Sequence, residues 1–304
     1  LEPRDALGHG IEPDPVPERI AGFESTVDRA LWPAGEGAAA DRLGAFIGRG
    51  IDRYDDERDR AAADGTSTLS PYLACGSISA RQCLTAAAIA NGLMLENPKH
   101  LGSTRWISEL VWREFYRHVM VGFPRVSMNR PFQPAAARIR WRDDPEGFKA
   151  WCDGRTGFPI VDAGMRQLLA TGWMHNRLRM ITAMFLTKDL LVDWRLGERH
   201  FMRHLVDGDL AQNNGGWQWS ASTGTDAAPY FRVFNPVSQS RKVDPDGEFI
   251  RRWVPELASV DGKAIHEPSK LPPLMRARIE YPEPIVDHAK ARLRVLAAFE
   301  AVRR

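Results

Sequence analysis

The sequence predicts an all-α protein. Apolar residues recur at a helical period in segment after segment, Ser, Asp, Pro and Gly punctuate those segments where helices start and stop, and no stretch shows strand alternation or an internal repeat. With 304 residues, 43% hydrophobic and 26% charged, the chain is globular in composition and long enough for a sizeable core. A wholly disordered, collagen-like or coiled-coil chain is excluded.

Residues 1–25 hold Pro3, Pro13, Pro15, Pro17 and three glycines and read as an extended linker, which leaves residues 26–304 as one helical domain. From Asp41, taken as an N-cap, the residues Leu43, Phe46, Ile47, Ile51 and Tyr54 keep a period near 3.6. Ser79 caps a helix over 80–90 that stops at Asn91 and Gly92. Ser103 opens a helix reaching Val121, closed by Gly122 and Pro124. Pro159 suits the first turn of a helix to Ala170, with Gly172 just past its end. Helices over 174–191 and 198–205 follow. Pro284 precedes a last helix over 286–302 with the stripe Ala289, Leu293, Leu296, Ala297. Segments 123–145 and 206–245 read as long loops, which in a compact domain usually carry function.

No apolar run approaches the ~20 residues that span a bilayer, and no N-terminal signal pattern is present, so a cytoplasmic protein without membrane partners is expected. Cys75, Cys83 and Cys152 form no C-x-x-C, which argues against a disulfide framework or zinc ribbon and for a reducing compartment. No metal site is expected: His200 and His204 share a helix face without a third ligand and read as solvent or interface residues. Neither standard glycine-rich nucleotide cradle occurs.

Net charge is only +2, but eight arginines lie between Arg105 and Arg142 against Glu109 and Glu114. Arginine mixed with Trp106, Trp112, Tyr116 and Trp141 suits phosphate and base contact; a solvated helix face is the alternative. Ten tryptophans against five tyrosines fit core packing, stacking on a flat ligand, or electron transfer, and composition does not choose.

Three clusters carry chemistry. Glu109, Trp112 and Tyr116 share one helix face, where a carboxyl can bind a ligand's edge while an indole stacks on its plane; an ion-paired glutamate beside Arg105 or Arg113 is the alternative. Asn176, Arg179 and Met180 lie on one face at a helix N-terminus, which suits a polar or anionic ligand or an ordinary cap. Asp207, Gly208 and Asp209 precede Gln212, Asn213, Asn214, Gly215, Gly216 and Trp217, a set that fits close ligand approach or a polar loop with aromatic anchors.

These blocks, with the run from Thr66 to Pro71, the run Glu109 to Arg117 and the stretch Ser222, Thr223, Gly224, Thr225, Asp226, Ala227, resemble the flavin-binding domain of the photolyase/cryptochrome family, in particular bacterial class I cyclobutane pyrimidine dimer photolyases. The resemblance runs from about residue 25 to the C-terminus. It implies an all-helical domain holding FAD, active as FADH⁻, and acting on DNA that contains pyrimidine dimers. The activity implied is that of a light-driven carbon–carbon lyase: an electron passes from the excited reduced flavin to the flipped-out lesion, the ring splits, and the electron returns.

Carried over by matching motif, Tyr54, Thr66, Ser67, Thr68, Leu69, Ser70, Trp106, Arg113, Arg179, Asp207, Gly208, Asp209 and Asn213 contact the cofactor, Arg179 pairing with Asp207 and Asn213 facing the flavin N5. Glu109, Trp112, Tyr116, Asn176, Met180 and Trp219 line the lesion pocket. Arg58, Arg177 and some of the 105–142 arginines hold the phosphate backbone. Trp217, Trp194 and Trp141 match an electron relay, while Trp32, Trp106, Trp151 and Trp253 are adequately explained by burial. The family's N-terminal antenna domain is not expected on this chain, nor its antenna chromophore, and the protein is expected to be a monomer. A cryptochrome-like blue-light sensor is the alternative function, disfavoured by Asn213. Asn176 argues against a (6-4) photolyase, and a colourless preparation would favour a single-strand-binding protein.

Overall fold

The computed structural model describes residues 21–22, 25–97, 99–226 and 231–303. Most of the linker assigned to residues 1–25, and Ala227, lie outside these residues. Among the described residues there is no β-strand, as the apolar periodicity predicts.

Helix α1 (Glu36–Arg49) starts after Gly35, ahead of the expected Asp41 cap, because Gly35 takes φ 98° and the small residues that follow extend the helix backwards. It stops at Gly50, so Tyr54 opens a separate turn, α2 (Tyr54–Glu57). After α3 (Ser70–Cys75), α4 (Ala80–Ala90) begins at Ser79 as predicted, with a full capping box to Gln82. Helix α5 (Leu101–Gly122) begins earlier than Ser103. That residue is buried inside the helix, and its hydroxyl donates to Asn91 Oδ1 at 2.7 Å. A serine read as a cap is instead the tie between α4 and α5. These five helices close on Phe46, Tyr54, Leu69, Tyr72, Trp106 and Leu110.

A second, larger core gathers Trp151, Met165, Leu168, Leu178, Phe185, Trp194, Phe201 and Trp217. It is built by α6 (Pro145–Cys152), α7 (Pro159–Thr171), α8 (Asn176–Met184), α9 (Trp194–His204), α10 (Leu210–Ala221), α11 (Pro236–Val243) and α12 (Glu248–Trp253). Gly172 ends α7 at φ 69°, as its position predicts. The expected helix 174–191 is shorter: it starts at Asn176, where His175 caps it, and passes into a π-helical turn at Phe185–Asp189. Asp193 caps α9 and moves its start ahead of 198. Both segments read as loops hold helical structure. Residues 123–145 contain 3₁₀ turns at Pro124–Met128 and Pro134–Arg138, and α10 occupies the centre of 206–245. The pair Asn213–Asn214 and the pair Gly215–Gly216 hide α10 from propensity, but the Asp209 carboxylate accepts from the Ala211 and Gln212 amides and starts it.

After α13 (Pro273–Arg276), α14 (His288–Arg303) closes a third, smaller cluster with Ala136, Ile139 and Leu191. Its buried face is Ala291, Val295, Phe299 and Val302 rather than the predicted stripe, and Leu293 is 67% exposed. Two residues of the π-helical turn explain the rotation. Asp189 Oδ1 lies 2.6 Å from His288 Nδ1, and the buried Lys188 ammonium sits 4.3 Å from the Phe299 ring. Lys188 Nζ also donates at 2.9 Å to Ala221 O and to Ser222 Oγ, which ties α14 and the end of α10 to one turn. Burial pushes the Lys188 pKa well below the ordinary lysine value. No helix among the described residues is long and apolar enough to cross a membrane.

Helix α10 packs against α5, α8 and α9, so it joins the two cores. The approach to α9 requires Gly197, where a Cβ would fall 2.1 Å from the Trp217 ring. Alanine gains up to ~1 kcal/mol in helix propensity, but overpacking costs ~1–3 kcal/mol. At 2.1 Å the clash decides the sign. Gly197→Ala is expected to lower stability by about 1–2 kcal/mol, read as a lower Tm in thermal melts. An unchanged or raised Tm would mean that α9 and α10 can part freely.

Candidate functional site

Between the two cores lies a cavity of about 1000 Å³. Three helices line it at helical spacing: α5 with Glu109, Trp112, Arg113 and Tyr116; α8 with Asn176, Arg179, Met180 and Ala183; α10 with Gln212, Asn213, Gly216, Trp217 and Trp219. Phe201 and Leu205 close one side, and Phe132, Gln133, Thr225, Asp226 and Arg232 another. The outer part is aromatic. Trp112 is half exposed, with its ring 5.3 Å from Phe115 and 6.3 Å from Tyr116. The inner part is polar and buried, formed by Asp207, Asn213 and Trp217.

Every arginine on this wall whose partner is resolved is paired with a carboxylate or a carbonyl. Arg58 donates to Glu109 Oε1 at 2.6 Å, so Glu109 is ion-paired as the alternative reading had it, but with Arg58 rather than Arg105 or Arg113. Arg177 grips Asp59 Oδ1 through Nε at 3.1 Å and Nη2 at 2.5 Å. Arg179 reaches Asp207 Oδ2 at 2.7 Å, the pairing that the resemblance implied. Arg232 lies 3.2 Å from Asp226 and stacks its guanidinium 5.3 Å above the Trp219 ring. Arg113 donates to Leu73 O at 2.9 Å. Burial works against ionisation of Asp59, but the Arg177 hydrogen bond and charge outweigh it, so its pKa falls below the ordinary aspartate value. Burial first, and then the Asp226 charge, push the Tyr116 phenol up to about 12.

The inner wall leaves donors and acceptors unused. Asp207 Oδ1 and Trp217 Nε1 are buried without a protein partner. Asn213 is held in one orientation, its Nδ2 donating to Glu198 O at 2.9 Å. Gly216 has open space where a Cβ would project. Outside the lining residues, 66–70 form a tight turn. Thr68 adopts φ 48°, a strained value for a β-branched residue that costs roughly 1–2 kcal/mol. No main-chain N–H from 66 to 69 donates to another described residue. The Ser67 and Ser70 hydroxyls accept from the indoles of Trp106 at 3.3 Å and Trp173 at 3.2 Å.

The structure therefore brings together Arg58, Glu109, Trp112, Arg113, Tyr116, Asn176, Arg177, Arg179, Met180, Asp207, Asp209, Asn213, Trp217 and Trp219. Tyr54, Thr66, Ser67, Thr68, Leu69, Ser70, Trp106 and Gly208 are not among the lining residues. Tyr54 is buried under the Arg58 guanidinium, 5.3 Å away. Trp194 is buried in the second core, and Trp141 is partly buried with its ring 6.2 Å from Phe299. The ring neighbours of Trp217 are Phe201 at 5.0 Å and Trp151 at 5.9 Å.

Of the eight arginines at 105–142, only Arg113 lines the cavity. Arg105 pairs with Asp55, Arg138 donates to Val302 O and Arg142 to Leu190 O, so these three brace the fold. Arg232, Gln133 and Phe132 were not anticipated, because they sit on irregular segments with no period to read. His200 is partly buried rather than solvated, its ring 5.4 Å from Trp151 and 4.3 Å from His204. No group of three or more His, Cys, Asp or Glu among the described residues could hold a metal ion.

A family model described as the FAD binding domain of DNA photolyase matches residues 106–301. The chain is 54% identical over 285 residues to a deoxyribodipyrimidine photo-lyase of Salmonella typhimurium, covering 92% of this chain and 59% of that protein. It is 53% identical over 280 residues to the deoxyribodipyrimidine photo-lyase of Escherichia coli, covering 91% of this chain and 58% of that one. Among solved structures, a bacterial class III photolyase from Agrobacterium tumefaciens superposes with a TM-score of 0.84 at 46% identity, over 90% of this chain and 57% of that one. The chain thus spans less than three fifths of these proteins, at 57 to 59%.

Burial keeps the α8 cap neutral: the His175 pKa is pushed down to about 4, against about 6.5 in an unfolded chain. Between those values the unfolded chain binds a proton that the folded one excludes, so stability falls as pH drops from about 6.5 towards 4. His200, also pushed down to about 4 by burial, acts in the same direction. The urea midpoint is expected to decline over that window, and to decline less steeply in His175→Asn, which keeps a cap acceptor. Identical slopes in the two proteins would contradict the assignment.

Proposed function

Because the chain belongs to the family of FAD-binding domains of DNA photolyases, we propose that it repairs cyclobutane pyrimidine dimers in DNA by light-driven electron transfer from reduced FAD to a flipped-out lesion. We place it, as a monomer, in the reducing cytoplasm, where its three free cysteines are stable. The observation that carries this reading is the cavity that joins aromatic faces, polar edge-binding groups and a buried inner wall with unspent hydrogen-bonding capacity.

The residues present fit a flavin dinucleotide. Asp207 Oδ1 can accept from an N–H or hydroxyl, Gly216 admits a ring plane without steric conflict, and the free amides of 66–69 suit phosphate oxygens. Tyr54, Trp106, Arg113, Arg179, Gly208, Asp209 and Asn213 complete the set that would hold it. When bound and reduced, FAD supplies the photoexcited electron that opens the cyclobutane ring. The chain's own residues prepare the lesion. Trp112 and Trp219 offer flat faces for the joined rings, and Met180 fills beside them. Glu109 and Asn176 hydrogen-bond the carbonyl and N–H edge, and Glu109 stabilises charge that develops on a carbonyl. Tyr116 packs beside Trp112 in the lesion pocket, and Arg58 and Arg177 hold the bent backbone through salt-sensitive phosphate contacts. Trp217, Trp194 and Trp141 would carry electrons inward from the surface, because indole is readily oxidised and water stabilises the outermost cation.

Illumination of flavin-loaded, reduced protein with a thymine-dimer oligonucleotide is expected to restore the monomers, with none restored in the dark. Light-independent or absent repair despite bound flavin would overturn the proposal, and a light-driven spectral change without repair would favour the sensor reading. Glu109→Ala is expected to keep flavin bound and to lower repair yield by about tenfold, ~1.4 kcal/mol. Trp141→Phe is expected to slow photoreduction of oxidised flavin while sparing repair by enzyme reduced beforehand. Absorbance and product analysis read both.

A further inference from the structure

We propose that Arg42 is a positioning residue for the 66–70 turn, holding it in the shape that receives the cofactor's diphosphate; the inference rests on the function proposed above. Thr68 stands at φ 48° with a branched Cβ, so the turn does not keep this shape by intrinsic preference. Something must over-determine it. Arg42 Nη1 donates to Thr68 Oγ1 at 2.5 Å. The guanidinium is itself immobilised between two rings, 5.3 Å from Trp32 and 5.5 Å from Tyr72, and Nη2 donates to Leu31 O at 3.4 Å.

Both rings are anchored in turn. Trp32 Nε1 donates to Thr171 O at 2.7 Å, and the Tyr72 hydroxyl donates to Pro33 O at 2.9 Å. The arginine is a rigid strut between α1 and the turn, not a mobile surface cation. The division of labour along the turn is then clear. The hydroxyls of Ser67, Thr68 and Ser70 are spent on Trp106, Arg42 and Trp173. The main-chain amides of 66–69 donate to no other described residue, and a left-handed residue followed by right-handed Leu69 aligns successive N–H groups as an anion nest. Without Arg42, Thr68 relaxes to negative φ and the amides diverge.

Two measurements on the full chain test this. In flavin-free protein, Arg42→Gln is expected to speed amide hydrogen exchange in residues 66–70 by about tenfold, with little change in α7 or α12. In FAD titrations followed by fluorescence quenching, the same variant is expected to raise Kd by about tenfold. Thr68→Gly removes both the acceptor and the need for one, so Arg42→Gln added to it should change Kd by less than about twofold relative to Thr68→Gly alone. Unaltered exchange in Arg42→Gln overturns the inference. So does an equal loss in the two backgrounds, which would make Arg42 mere packing between Trp32 and Tyr72. Wild-type chain that takes up no flavin sinks the proposed function instead, and the exchange measurement still decides whether Arg42 holds the turn.

Discussion

A buried hydrogen-bond chain holds the helix on which the cavity depends. Glu198 Oε1 accepts from Asn214 at 2.7 Å, Asn214 Oδ1 accepts from Gln218 at 2.8 Å, and Gln218 Oε1 accepts from the Phe132 amide at 2.7 Å. The chain runs from α9 through α10 to the loop that closes the cavity. Helix α10 carries two asparagines and two glycines in succession at its middle, a composition that forms no stable helix alone. The network compensates, since a broken link leaves a buried polar group unpaired at ~1–3 kcal/mol. Burial also pushes the Glu198 pKa above the ordinary glutamate value, partly offset by the Asn214 bond. Asn213, Trp217 and Trp219 inherit their positions from this arrangement.

The two glycines have separate uses. Gly215 admits the Tyr116 ring, since a Cβ there would lie 2.1 Å from it, and so α5 can lie against α10. Gly216 faces the cavity with nothing within 4 Å. One glycine sets the spacing of the helices and the other keeps room for a ligand. The same low-propensity residues that weaken α10 make the site possible, and the polar network offsets their cost.

Charge follows a similar logic. Arg58, Arg177, Arg179 and Arg232 are paired with Glu109, Asp59, Asp207 and Asp226. Arg179 with Asp207 is the most buried of these pairs and fixes the inner wall. The others are more open, and pairs of that kind are worth only ~0–1 kcal/mol each. They keep the guanidiniums oriented around the mouth yet release them readily to a stronger anion. On the proposed function, exchange of Glu109 for a phosphate at Arg58 frees the carboxylate for the lesion edge. The phosphate-binding arginine and the edge-binding carboxylate are thus coupled through one ion pair.

Much of this was written in local pattern. The all-α class, the Ser79 capping box, the Gly172 stop and the shared face of Glu109, Trp112 and Tyr116 depend only on period and end chemistry, which act over a few residues. The motif blocks also named most of the cavity wall. What local pattern could not supply came from contacts distant in sequence. Ser103 is a tie rather than a cap because Asn91 lies opposite. The α14 face is set by Lys188 and Asp189 rather than by its own hydrophobic stripe. Glu109 pairs with Arg58 on another helix instead of a neighbour on its own. Helix α10 exists because Glu198, Asn214 and Gln218 meet in a dry interior, where hydrogen bonds outweigh propensity. A chain reveals its periods and its caps by itself; which polar groups find one another is decided only once packing excludes water from between them.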